Sequence, residues 1–207
     1  MNQEFNSTQN VSYNNRRMPT GEYLKMKKVN YIIYAKLQQI SLRNPEEQHR
    51  YVPVSLINKT QLAKEIKSKP STIRLKLQQL EKVGLIKLVK CESGDYYKLL
   101  NDSDYYELID LDLKFFKLML KFTSDLVWRV YLVHKGESRR VKERYGKDTY
   151  FITRDEIARR VGYSVTNLQT ITDVNEFLKE INCIEYHSKH VYENGSTKEV
   201  NEYKVLK

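Results

Sequence analysis

Cysteine is almost absent from this sequence of 207 residues, which has two, Cys91 and Cys183. They lie far apart and outside any CxxC or His/Cys cluster, so they provide neither a disulfide framework nor a structural zinc site, and a reducing cytoplasm fits them. No signal-peptide core opens the chain. MNQEFNSTQNVSYNNRR is polar and Asn-rich, and residues 1–22 are expected to form a disordered arm. No uncharged hydrophobic run is long enough to cross a bilayer. The most apolar stretch, Leu111 to Val133, carries Lys114, Lys117, Lys121, Asp125 and Arg129, so a core helix is expected there and a membrane partner is not. Neither GxxxxGK[ST] nor GxSxG occurs. The histidines do not group either: His49 and His134 are isolated, and His187 and His190, three apart on an expected strand, face opposite sides. The sixteen tyrosines have no metal or basic cluster beside them to activate a phosphodiester. These absences argue against an enzyme, and no metal or cofactor is expected.

What the chain does have is positive charge, +10 overall from 36 Lys/Arg and 26 Asp/Glu. Residues 1–100 hold 18 Lys/Arg against 8 Asp/Glu, whereas residues 101–207 hold 18 of each. An excess confined to one half points to a basic face, and the polyanion that such a face suits is nucleic acid.

Periodicity divides the chain into two similar halves. Val29, Ile32, Ile33, Leu37 and Ile40 mark an amphipathic helix within Met26 to Asn44. A β-prone segment (Tyr51 to Ile57) follows, then a helix with Thr60 as expected N-cap, and a third helix from Pro70 to Val83 closed by Gly84. LIKLVK and YYKLL (96 to 100) read as a hairpin. The second half repeats the order. It has a long helix over about 112 to 135, a strand at Tyr150 to Ile152, and a helix opened by the capping-box pair Thr153 and Glu156 and closed by Gly162. A third helix over about Val165 to Ile181 and a hairpin turning at Asn194-Gly195 complete it. Leu62-Ala63-Lys64-Glu65-Ile66 superposes on Ile157-Ala158-Arg159-Arg160-Val161 at an offset of 95, which also carries Ile73 onto Leu168. From Leu80 the offset is 98, which places three extra residues in the second copy's third helix.

The stretch TQLAKEIKSKPSTIRLKLQQLEKVGLI, Thr60 to Ile86, resembles the helix-turn-helix core of bacterial winged-helix DNA-binding proteins. Two such units in one chain of this size resemble the tandem winged-helix replication initiators of plasmids and phages, over roughly residues 24–207. The resemblance implies a mainly α fold with small β-hairpins (α+β) in two consecutive winged helix-turn-helix domains, residues 23–103 (basic) and 104–207. It implies a cytoplasmic protein that binds repeated origin sequences in double-stranded DNA, with replication or transcription machinery as further partners. A transcriptional or copy-number regulator acting as a homodimer and a winged-helix protein-protein adaptor are the other readings, because fold alone does not assign function.

In a helix-turn-helix the third helix enters the major groove. With Ile73, Leu77 and Leu80 turned to the core, Ser71, Thr72, Arg74, Leu75 and Lys76 are the expected base readers, Arg74 toward guanine and Leu75 toward a thymine methyl. Lys59, Lys64, Lys67 and Lys69 around the turn, and Lys87, Lys90 and Lys98 on the wing, are the expected phosphate contacts. In the second half Ser164, Thr166, Asn167, Gln169 and Thr170 occupy the corresponding surface without positive charge. Arg159 and Arg160 would supply the electrostatic grip, alongside Arg139, Arg140, Lys142, Arg144, Lys147 and Arg154. A second half that dimerises or packs on the first is equally expected. Arg16 and Arg17 on the arm would suit a minor groove, the alternative and favoured reading being an idle disordered tail.

Overall fold

The computed structural model describes residues 16–44, 49–99, 108–121, 124–166, 168–193 and 196–206. Most of the expected arm, the Asn194-Gly195 turn, Leu100 and Asn167 lie outside them. The fold is mixed α+β, with helices packed on small antiparallel sheets.

Strand β1 (Arg16–Pro19) opens the described chain and pairs antiparallel with β6 (Leu108–Leu111). The stretch expected to be an arm is therefore structured from Arg16 onward, because Met18 is fully buried and anchors it. A short 3-10 turn (Gly21–Lys25) leads to α1 (Tyr31–Ile40), whose N-cap Asn30 accepts a hydrogen bond from the Ile33 amide at 2.9 Å. Strands β2 (Leu42–Arg43) and β3 (Arg50–Pro53) follow, then α2 (Lys59–Glu65) and α3 (Pro70–Lys82). The hairpin β4 (Ile86–Cys91) and β5 (Gly94–Leu99) completes a sheet of order β2-β3-β5-β4. The cap of α2 is Asn58, which accepts from the Gln61 amide at 2.9 Å, and not Thr60. Either side chain can cap a helix, and the asparagine stands where the chain turns in.

The long helix expected over 112–135 is two helices. Asp112 caps α4 (Leu113–Met119), and Ser124 caps α5 (Asp125–Tyr145), which runs ten residues further than expected, to a left-handed Gly146. Beyond α5 the order of the first half returns: β7 (Thr149–Phe151), α6 (Arg154–Arg160) with Thr153 as N-cap, α7 (Leu168–Glu180), and the hairpin β8 (Ile184–Glu193) and β9 (Ser196–Val205), in sheet order β7-β9-β8.

The hairpin registers coincide between halves. Ile86 pairs with Leu99 as Ile184 does with Val205, and Leu88 pairs with Tyr97 as Tyr186 does with Tyr203. The helices coincide too, but α3 and α7 both have 13 residues. The three extra residues therefore sit in the turn before α7 rather than in that helix. Ile73 corresponds to buried Ile171, Leu77 to buried Asn175 and Leu80 to buried Leu178.

Each half closes its second and third helices with a left-handed residue: Lys67 (φ 52) and Gly84 (φ 79) in the first, Gly162 (φ 70) and Asn182 (φ 55) in the second. A Cβ in this region costs about 1–2 kcal/mol. Lys67→Gly is accordingly expected to raise thermal stability by about 0.5–1 kcal/mol, because the relieved clash exceeds the added freedom of the unfolded chain. Unchanged or lower stability in a melting curve would contradict the strain. Gly162 has a second constraint, since a Cβ there would lie 2.6 Å from the Lys25 carbonyl oxygen.

One hydrophobic cluster runs through both halves, from Leu37, Ile73 and Leu80 to Trp128, Ile171 and Leu178. The segment from Thr20 to Tyr31 lies between them. The Tyr23 hydroxyl donates to the Val83 carbonyl at 3.3 Å, and the Tyr31 amide donates to Asp125 Oδ1 at 2.5 Å. Arg129 on α5, only 5% exposed, donates to the carbonyls of Leu24, Met26 (3.1 Å) and Val29 (2.5 Å) and to Asp125 Oδ2 (2.6 Å).

Candidate nucleic-acid interface

Helical spacing sets the free surface of α3. With Ile73, Leu77 and Leu80 buried, Ser71, Arg74, Leu75 and Gln78 share the opposite face, and all four are exposed. Leu75 keeps 51% of its surface. Of the five expected base readers, Ser71, Arg74 and Leu75 are on this stripe. Thr72 and Lys76 are half-buried at its flanks, so Lys76 is placed for the edge of an interface rather than its centre. Gln78 was missed, although it follows Ser71 by seven residues and Arg74 by four; its amide can pair with adenine. Lys69 caps α3 without a side-chain bond to the helix; Pro70 has no N–H and the Thr72 and Ile73 amides donate to the Lys69 carbonyl (2.9 and 3.3 Å), so the positive end of the helix dipole offers an anion the Ser71 amide beside a lysine.

Of the expected phosphate contacts, Lys59, Lys64, Lys67 and Lys69 are exposed on α2 and the turn that follows, and Lys87 and Lys90 are exposed on β4. None of these six, nor Arg74 or Lys76, forms an ion pair among the described residues. Lys98 is on the same hairpin, in register with Lys87. It sits on the central strand β5, half-buried, with its ammonium 5.9 Å from the centroid of the Tyr51 ring, so it packs more closely on the sheet than Lys87 and Lys90 do. Glu81 on α3 accepts from the Leu88 amide at 3.1 Å and fastens the hairpin to the helix.

The corresponding surface of the second half has the opposite sign. The register from α3 places Asp173 where Leu75 stands and Glu176 where Gln78 stands, and both acids are exposed, with Glu180 beyond them. Gln169 bonds Asp173 at 2.8 Å, and Glu176 accepts from the Tyr186 hydroxyl. Ser164 and Thr166 bond each other at 2.7 Å in the turn, and Thr170 is half-buried.

The arginines nearby are mostly committed. Arg160 bridges Glu156 (2.7 Å) and the buried Glu137, and its hydrogen bond holds the Glu156 carboxyl below the usual carboxylate range. Arg159 pairs with Glu156 at 3.2 Å, Arg140 with Glu137 at 2.5 Å, Arg139 with Glu143 at 2.8 Å, and Lys142 with Asp148 at 3.1 Å. Arg154 is held by Thr172 at 3.2 Å, at the edge of a polar cavity of about 510 Å³ between α6, α7 and the β8-β9 hairpin. Arg160 thus ties α6 to α5 through two carboxylates. Arg16 and Arg17 are in β1, opposite Leu111 and Asp110, rather than on a loose arm.

Behind α7 lies a network that sequence reasoning missed, since it treated His134 as isolated. Tyr150 donates to His134 Nδ1 (2.8 Å), His134 Nε2 donates to Asn175 Oδ1 (2.9 Å), and Asn175 donates to the Tyr203 hydroxyl (3.2 Å). This assignment gives the imidazole one donor and one acceptor, as the neutral ring requires. Burial pushes the His134 pKa down to about 4.

No helix of the described residues is long and apolar enough to cross a membrane, and no group of metal-binding side chains occurs among them. No family model and no curated protein sequence matches the chain.

Proposed function

We propose that this protein is built from two winged-helix units and binds specific sites in double-stranded DNA through the first, with the stripe Ser71, Arg74, Leu75 and Gln78 of α3 reading bases and the surrounding lysines gripping phosphates. One contrast carries the reading: Lys59, Lys64, Lys67, Lys69, Arg74, Lys76, Lys87 and Lys90 form no ion pair among the described residues, whereas Arg139, Arg140, Lys142, Arg159 and Arg160 around the second half's helices each pair with a carboxylate. Unpaired, exposed cations around a helix with a solvent-facing Arg are what a polyanion with a readable groove selects. The tandem arrangement favours a replication initiator of plasmid or phage type, which binds directly repeated sites. A regulator would bind inverted half-sites as a homodimer. The acidic face of α7 supports a protein-binding adaptor role for the second unit beside DNA reading by the first.

The test is titration of the full chain into a duplex carrying its own upstream DNA and into an unrelated duplex, at several salt concentrations. With about six phosphates neutralised, affinity should fall about a thousandfold between 50 and 200 mM salt. Arg74→Ala should weaken upstream binding about 10- to 100-fold while leaving the unrelated duplex nearly unchanged. Equal, weak binding of both duplexes that Arg74→Ala does not alter would remove DNA reading and leave the adaptor. The array of sites protected on the upstream duplex, direct or inverted, separates initiator from regulator.

A further inference from the structure

We infer that Leu75 reads the 5-methyl group of a thymine next to the base engaged by Arg74, which makes a pyrimidine methyl part of the target's identity. The inference rests on the DNA reading above and specifies what that surface recognises. Leu75 is half exposed in the middle of a stripe whose other members, Ser71, Arg74 and Gln78, are polar. Among the described residues of the first half, the other exposed large apolar side chains, Met26, Leu42 and Leu56, lie on other elements. At the same register α7 carries Asp173, so the repeat does not require an apolar side chain there for folding. The only apolar feature on a major-groove base edge is the thymine C5-methyl, and an aliphatic side chain in the second turn of an inserted helix is the partner it takes. Arg74, the adjacent exposed residue, offers the two-pronged donor that guanine N7 and O6 accept.

The experiment uses the full chain and the tightest duplex it recovers from a random pool. That duplex is resynthesised with each thymine in turn replaced by deoxyuridine, which keeps base pairing and removes one methyl. Replacement at one or two positions should weaken wild-type binding about three- to tenfold, the value of one buried methyl. Leu75→Ala should bind the thymine and deoxyuridine forms alike, with an unchanged melting temperature. If every deoxyuridine duplex binds as tightly as its parent while salt-dependent, Arg74-sensitive binding persists, the methyl inference is overturned and the DNA reading stands. Discrimination that survives in Leu75→Ala assigns the methyl to another residue and also overturns it. If the pool yields no duplex bound in a salt-dependent way, both fall together.

Discussion

Replacing Arg129 with alanine is expected to lower the free energy of unfolding by about 3–5 kcal/mol, the usual cost of breaking a buried ion pair from one side. Arg129 is 5% exposed, and its guanidinium donates to three main-chain carbonyls and to Asp125, whose other oxygen receives the Tyr31 amide. It also lies 4.9 Å from the centroid of the Tyr31 ring. Truncation leaves those acceptors short of donors and the Asp125 carboxylate short of its counter-charge. Arg129→Lys should recover only part of the loss, because an ammonium cannot span acceptors arranged around a planar fork. In a chain of this size the alanine variant should melt about 10 °C lower. Urea denaturation that places it within 1 kcal/mol of wild type would mean that the junction is not a principal support of the fold.

His134 predicts acid lability with a defined window. Burial lowers its pKa from 6.5 to about 4, despite the Asn175 hydrogen bond and Glu137, both of which favour the charged form. The unfolded chain therefore takes up a proton below pH 6.5 that the folded chain refuses until about pH 4. The stability contributed by neutral His134 is complete above pH 6.5. It falls by about 1.4 kcal/mol per pH unit on acidification, for a total of about 3 kcal/mol. His134→Gln keeps a donor for Asn175 and does not titrate. It should start less stable, yet lose about 3 kcal/mol less than wild type between pH 7 and pH 4 in parallel urea titrations. Parallel curves for the two proteins across that interval would refute the assignment of the slope to His134.

Local signals in the sequence served well where structure is local. Thr153 and Glu156 mark the start of α6, Gly84 and Gly162 mark helix ends, and alternation in LIKLVK marks β4. The break between α4 and α5 was hidden because apolar periodicity continues through it without proline or glycine, and the cap that separates the helices is a single serine at 124. The three extra residues were assigned to the third helix of the second half instead of to the turn before it because Leu168 is apolar like Ile73. Only the three-dimensional register identifies Asn175 as the true counterpart of Leu77. The site was half legible. Arg74 and Leu75 follow from the burial of Ile73 and Leu77, and Gln78 follows from the same arithmetic carried one turn further. The fate of the second half's arginines was not legible, because Arg160 meets Glu137 across 23 residues of chain. The His134 partners, 16 and 41 residues away, were beyond any pattern in the sequence.

Two copies of one pattern joined by a tether would move as beads on a string, each choosing its own orientation. Here the interior has no seam between the copies, and the segment from Thr20 to Tyr31 is bonded to α3's end on one side and to α5 on the other. The chain is therefore a caliper with fixed jaws. The distance and rotational phase between the exposed faces of α3 and α7 are set by the fold itself.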